Sequence, residues 1–123
     1  MTAKRITQNQ AKHIKRHKYI LENLATSKPK QRREIIKNAP SDLFKTLNLI
    51  FKLFLDGGLK LSGEKEREMT KHKRFMKSSS LLKTTALKQK LARQRGGALS
   101  AILGAILPTV ISLVSPLVKK IFK

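Results

Sequence analysis

Charge is distributed very unevenly along this chain of 123 residues. Residues 1–95 carry 25 of the 28 lysines and arginines and all seven acidic residues, a net charge of +18. Residues 96–118 carry no charged side chain, and three lysines follow them. Like charges repel one another and apolar side chains avoid water, so the two segments need different surroundings. We therefore place a boundary at the glycine pair, residues 96–97.

The front of the chain has the apolar spacing of a small helical unit. After a basic arm at residues 1–12, predicted to be disordered, residues 13–58 are predicted to form three helices. Apolar residues recur at helical spacing from Ile14 to Ala25, and Pro40 separates the second helix from the third. The third helix is apolar on most of its sides and therefore needs burial on most sides. Three helices around a core of Phe, Leu and Ile side chains are the economical arrangement for so short a segment.

Residues 59–95 are predicted to form a basic helical linker. Charges alternate in sign over residues 64–68, as on a solvated helix, and Leu87 and Leu91 lie one helical turn apart. No pattern typical of a β-hairpin occurs in the chain. We therefore expect an all-α protein that consists of a three-helix N-terminal unit, this linker and a C-terminal apolar helix at residues 96–123.

The apolar tail is long enough to cross a membrane. Its uncharged run would span about 34 Å as a helix, against about 30 Å for the hydrocarbon core of a bilayer. Pro108 would kink this helix, and Lys119, Lys120 and Lys123 could reach a headgroup layer. Three interpretations stay open: contact with a membrane, burial in a protein assembly such as a capsid interior, and a core helix of the chain itself. The residues that would contact lipid are Leu99, Ile102, Leu103, Ile106, Leu107, Val110, Ile111, Leu113 and Val114.

The basic residues of the front fall into four clusters. A polyanion is the natural partner for so large a positive charge, and double-stranded DNA and anionic membranes are the two candidates. Contacts to phosphates release counterions, so DNA binding would depend on salt and not on base sequence. A base-reading helix-turn-helix stays open as well, because three predicted helices precede residue 56. The predicted phosphate ligands are Lys12, Lys15, Arg16, Lys18, Lys28, Lys30, Arg32, Arg33, Lys71, Lys73, Arg74, Lys77, Lys83, Lys88, Lys90, Arg93 and Arg95.

Catalysis finds little support in the residues present. The chain has no cysteine, which excludes thiolate metal sites and cysteine nucleophiles. His13 and His17 lie one helical turn apart, but no carboxylate or cysteine completes a metal site and the neighbouring bases repel cations. Glu64, Glu66 and Glu68 lie among bases and are typical of a salt-bridged surface, not of general acids. We expect no enzyme activity, no cofactor and no bound metal.

Two parts of the chain resemble the family of adenovirus core protein X, the precursor of the small Mu peptide. The front resembles longer members of this family in adintoviruses and Maverick/Polinton elements, at residues 19–21, 29–39 and 43–58. The second part is a basic segment that meets two glycines and then an apolar, proline-containing tail. Its residues are Arg93, Gln94, Arg95, Gly96, Gly97, Ala98 and Leu99. The resemblance extends over most of the chain from about residue 19 onward.

The resemblance implies a minor virion or core protein that binds and condenses the DNA genome, in the virion and in the host nucleus. It also implies a viral maturation protease as a partner. The aliphatic-X-Gly-Gly-X site of that protease maps onto residues 94–98, with Gln94 in the aliphatic position. Cleavage would fall after Gly97, and the residues around it are Gly96, Gly97 and Ala98. A lytic or pore-forming membrane protein, whose cationic front keeps the tail in solution, is the alternative from another class. A cellular antimicrobial or a small chromatin protein is a third hypothesis.

Overall fold

The structure, a computed structural model, describes residues 7–59, 61–93 and 98–121, with side chains of the last segment described as far as residue 115. Every regular element in these ranges is an α-helix, which confirms the predicted all-α class. The helices are α1 (Gln8–Arg16), α2 (Lys18–Thr26), α3 (Pro29–Asn38), α4 (Ser41–Leu55), α5 (Gly63–Thr70), α6 (Lys73–Ser80), α7 (Thr84–Arg93) and α8 (Ala98–Ile121).

Helix α1 begins inside the segment that the sequence predicts as a basic arm. The Thr7 hydroxyl accepts a hydrogen bond from the backbone N–H of Gln10 at 3.1 Å. The Gln10 side chain accepts in turn from the backbone N–H of Thr7 at 2.9 Å. This reciprocal pair satisfies two donors that a helix start otherwise leaves free. Residues 8–12 of the predicted arm are therefore helical, and residues 1–6 lie outside the described part of the chain.

His17 interrupts the first predicted helix and separates α1 from α2. Its backbone leaves helical geometry, at φ −101° and ψ 11°. The ring is buried, and its Nδ1 lies 3.0 Å from both the His13 carbonyl oxygen and the Thr46 hydroxyl. Since a carbonyl oxygen only accepts, the His17 ring donates a hydrogen bond from Nδ1–H to the His13 carbonyl oxygen. His17 thus fastens the junction of α1 and α2 to α4, and its ring does not face solvent.

Helix α4 lies at the centre of the front, with α1, α6 and α7 packed around it. It starts directly after Pro40, and it ends before Gly57, whose φ of +76° is a conformation that side-chain-bearing residues rarely adopt. Its buried side chains are Leu43, Phe44, Thr46, Leu47, Ile50, Phe51, Leu53 and Phe54. The prediction that this helix needs burial on most sides agrees with the structure, because its neighbours cover it from several directions.

The described part of residues 59–93 folds back onto this core. Helices α6 and α7 pack on α4, and α7 also packs on α3. The segment contributes the buried side chains Leu59, Met69, Met76, Leu87 and Leu91. Buried residues from the predicted three-helix unit, the predicted linker and the predicted tail all belong to one hydrophobic core.

Helix α8 packs its apolar face against α1 and α2. Residues three and four apart share one face of a helix, and the buried side chains follow that spacing: they are Leu99, Ile102, Leu103, Ile106, Leu107, Val110 and Val114. Ile111 is half-buried, and Leu113 is 39% exposed. Of the three interpretations of the tail, the structure agrees with the third, in which the tail is a core helix of the chain itself. Most residues predicted to contact lipid lie instead against α1 and α2, because the apolar faces of these two helices cover them.

The outer side of α8 stays uncovered. Gly104, Pro108 and Ser112 follow one another at four-residue intervals and are all exposed. Among the residues that the structure describes, one helix is long and apolar enough to cross a membrane, and its span Ala98–Ser115 has a mean hydropathy of 2.1. Since 39% of that span is buried inside the protein, and since buried core helices meet the same criterion, its length and composition do not establish a membrane span.

Candidate nucleic-acid interface

The fold exposes most of the predicted phosphate ligands. The apolar residues of each helix face the core, and this turns the lysines and arginines between them outward. The exposed ligands are Lys12, Lys15, Arg16, Lys28, Lys30, Arg33, Lys71, Lys73, Arg74, Lys77, Lys83 and Arg93. Lys18, Lys88 and Lys90 are half-buried.

Ion pairs with carboxylates balance little of this positive charge in the part of the chain that the structure describes. An ion pair joins Lys45 to Asp42 at 4.0 Å, but both side chains are well exposed and neither is a predicted ligand. None of the exposed predicted ligands forms an ion pair within the described ranges, although all seven acidic residues lie there. The uncompensated charges give the surface a strongly positive potential, which attracts polyanions.

Helices α1 and α6 carry separate basic faces. Both helices pack on α4, but they share no extended interface with each other. We name these surfaces the α1 face, which consists of Lys12, Lys15 and Arg16, and the α6 face, which consists of Lys73, Arg74 and Lys77. The protein therefore offers phosphate backbones two cationic surfaces on helices that each pack on α4 and do not pack extensively on each other.

A basic groove of about 400 Å³ lies between α3 and α7. Lys30, Arg33 and Lys37 line it from α3, and their spacing of three and four residues places them on one helix face. Glu34 and Ala92 line it as well. Lys37 is missing from the predicted ligands, although its spacing from Lys30 and Arg33 is the sequence signal that could have identified it.

Arg32 is a correction to the predicted ligands. It is only 4% exposed, and its guanidinium donates a hydrogen bond to the Ser100 hydroxyl of α8. Ser100 in turn donates to the Leu24 carbonyl oxygen at 2.9 Å, so one polar chain joins α3, α8 and α2. Arg32 lies one helical turn before the buried Ile36, which places it on the inner face of α3. The guanidinium of Arg32 therefore bonds within the protein core and does not lie on the surface where a phosphate could bind.

Replacing Arg32 with alanine is expected to lower the free energy of unfolding by about 1–3 kcal/mol, because buried polar groups lose their donor. Arg33→Ala is the matched control on the exposed side of α3, with an expected change within about 0.5 kcal/mol. Urea denaturation of both variants measures the difference. The affinity for DNA should fall more for Arg33→Ala than for Arg32→Ala, since only Arg33 faces solvent. Equal stability of the two variants would contradict the internal role of Arg32.

The half-buried ligands lie on apolar or aromatic surface. Lys88 places its Nζ 6.0 Å from the centroid of the Phe44 ring, and Lys90 places its Nζ 4.8 Å from that of Phe75. Lys18 lines an apolar groove between α2 and α8. Such lysines cover hydrophobic area with their stems and keep the charged end near solvent, so they hold their charges in more defined positions than fully exposed lysines do.

The predicted cleavage site lies at the edge of the described structure. Gln94, Arg95, Gly96 and Gly97 fall outside the described residues, and Ala98 is the first residue of α8. In comparisons with known proteins, no family model, no curated protein and no solved structure matches the chain. The charge and shape of the surface are therefore the basis for a functional proposal.

Proposed function

We propose that the protein is a minor virion or core protein that binds double-stranded DNA without sequence preference and condenses it. The observation that carries this proposal is the set of exposed lysines and arginines that have no carboxylate partner in the part of the chain that the structure describes. A formal net charge of +21 opposes a compact fold through self-repulsion, and phosphates would offset that repulsion. The resemblance to the core protein X family supports placing the activity in the virion and in the host nucleus.

Binding through these residues would be independent of base sequence. Lysine and arginine side chains reach the phosphate backbone, which fixes a protein on the duplex but carries no direct sequence information. Stacking on bases has little support, because Phe44, Phe51 and Phe54 are buried. Tyr19, which is 76% exposed, is an aromatic side chain that could reach a nucleic acid. The chemistry of the surface thus favours contacts to phosphates over contacts to bases.

Condensation follows from the placement of the two basic faces. A protein with one cationic surface coats a single duplex, whereas two separate surfaces can hold two duplexes at once. The α1 face and the α6 face each present three positive charges from one helix. Each protein molecule would then bridge neighbouring duplexes and lower the repulsion between them.

The affinity for random-sequence duplex DNA is expected to fall by about 10³- to 10⁵-fold between 50 and 200 mM salt, as for proteins with about 6–10 phosphate contacts. Fluorescence anisotropy with a labelled short duplex, repeated at several salt concentrations, measures both the affinity and its slope. Unlabelled duplexes of different sequence should compete equally well. The absence of binding at low salt, or an affinity that salt does not change, would falsify the proposal.

Contact with an anionic membrane is the second candidate function. The span Ala98–Ser115 and the uncovered side of α8 support it. Because α8 packs on α1 and α2, insertion would require the helix to leave the core, whereas its outer side could contact a membrane or the capsid interior in place. Dye release from anionic vesicles by the full chain, run beside the DNA assay, separates the two functions. Leakage at concentrations that bind DNA supports insertion of α8 into the membrane, and intact vesicles argue against that insertion.

A further inference from the structure

An open cup of about 530 Å³ lies between α6 and α7. It is lined by Phe75, Ala86, Gln89, Lys90 and Arg93. Two of these five residues are positively charged and none is acidic, so the cup has an unbalanced positive charge. Its aromatic residue lies on α6 and its two cations lie on α7, so both helices are needed to form it.

The ammonium group of Lys90 is held in a defined position inside this cup. It donates a hydrogen bond to the Ser78 hydroxyl at 2.7 Å, and it lies 4.8 Å from the centroid of the Phe75 ring. The Ser78 hydroxyl donates to the Phe75 carbonyl oxygen at 3.1 Å. The hydroxyl and the ring therefore fix the direction in which the charge points.

The core supports the wall of the cup. The Phe75 ring meets the buried Phe51 ring edge to face, with centroids 6.2 Å apart and an interplanar angle of 70°. Such pairs prefer this geometry, and Phe51 belongs to the central helix α4. The site is thus preorganised, because its shape does not have to form when a ligand arrives.

Among the residues that the structure describes, no carboxylate pairs with Lys90. Burial lowers the pKa of Lys90, because it removes water from the ammonium group. An anion in the cup would restore favourable interactions to the charged form. Arg93 lies three residues further along α7, so it projects from the same side of the helix and adds a second cation at the same cup.

We propose that this cup seats one backbone phosphate of bound DNA, with Lys90 and Arg93 as its ligands. The inference rests on the proposed DNA binding and names a fixed phosphate position within it. The hydroxyl of Ser78 and the ring of Phe75 position Lys90, and charge-assisted hydrogen bonds from the two cations hold the phosphate. One contact at this cup therefore orients the protein on the duplex, whereas the fully exposed lysines bind in many orientations.

Lys90→Met in the full chain tests this position, because methionine keeps an unbranched stem against Phe75 and removes the charge. The affinity for a short duplex at 0.1 M salt should fall about five- to tenfold, and the salt slope should decrease by about one unit. Lys52→Met is the matched control, since it removes the same charge from an exposed position on α4 and should change the affinity by about twofold or less. Arg93→Gln, at an exposed position that does not support the core, should reproduce the loss.

A second measurement follows Lys90 directly by NMR of labelled lysine side chains. When the duplex binds, the pKa of Lys90 should rise toward its ordinary value, because the phosphate favours the charged form. Wild-type protein that binds DNA while Lys90→Met and Arg93→Gln behave like Lys52→Met would overturn the cup and leave the proposed function intact. A wild-type protein that binds no DNA at low salt would overturn the proposed function itself.

Discussion

A chain that ends at Arg93 is expected to lose cooperative unfolding altogether. It lacks the seven buried side chains that α8 contributes to the core, and each of these stabilises the fold by about 1.5–3 kcal/mol. Their sum, about 10–20 kcal/mol, matches or exceeds the whole stability of a typical domain, about 5–15 kcal/mol. Thermal denaturation followed by circular dichroism should show no sharp transition. A truncated chain that unfolds like the full one would contradict the place of α8 in the core.

Two point variants of α8 test its packing against the core without shortening the chain. Ile106 is fully buried, so Ile106→Asp places a carboxylate in the core. This variant should be unfolded or should have a much lower midpoint of thermal unfolding. Ser112 is exposed on the opposite side, so Ser112→Asp adds the same charge with little effect on stability. If α8 were instead a free tail, the two variants would have the same small effect.

Neutralising either basic face should strongly reduce the bridging of two duplexes while leaving binding to one. We expect the triple variant Lys12→Gln, Lys15→Gln and Arg16→Gln to lose about two to three units of salt slope, since each phosphate contact contributes about 0.9. That loss corresponds to about 10²- to 10³-fold in affinity near 0.1 M salt. Energy transfer between duplexes that carry donor and acceptor dyes measures the bridging.

The α6 face supplies the matched comparison for this experiment. The variant Lys73→Gln, Arg74→Gln and Lys77→Gln removes the same charge from a different helix and should lose bridging to a similar degree. Both triple variants should still bind one labelled duplex through the remaining face. Bridging that survives in both variants would exclude the two faces as the means of condensation.

Periodicity and breakers in the sequence predict the all-α class and some of the helices, but the N-terminal segment has four helices where the sequence predicts three. The apolar pattern and Pro40 identify α4. Helix α7 contains Leu87 and Leu91, which the sequence places one turn apart, and α8 begins within the predicted apolar helix. The break at His17 is not visible in the sequence, since no proline or glycine marks it, and the ring of His17 contacts Thr46, which lies 29 residues away. Local spacing predicts that a helix forms, but it does not indicate which distant side chain holds its end.

The packing of the tail illustrates a second limit of prediction from sequence patterns. A run such as residues 96–118 satisfies the length and hydropathy of a membrane span and those of a core helix equally well. Only the positions of α1 and α2 decide between them, and these positions are a property of the tertiary structure. Burial of Arg32 has the same origin, although its place one turn before Ile36 is a local signal that favours the inner face.

The docking of α8 on α1 and α2 determines what a cleavage after Gly97 would release. A protease that hydrolysed this bond would sever the covalent link but leave the interlocked apolar faces and the Arg32–Ser100 contact in place. The two fragments would stay associated through these contacts, without a peptide bond between them. Liberation of the hydrophobic fragment would then be a separate event, triggered by whatever loosens the helices around it.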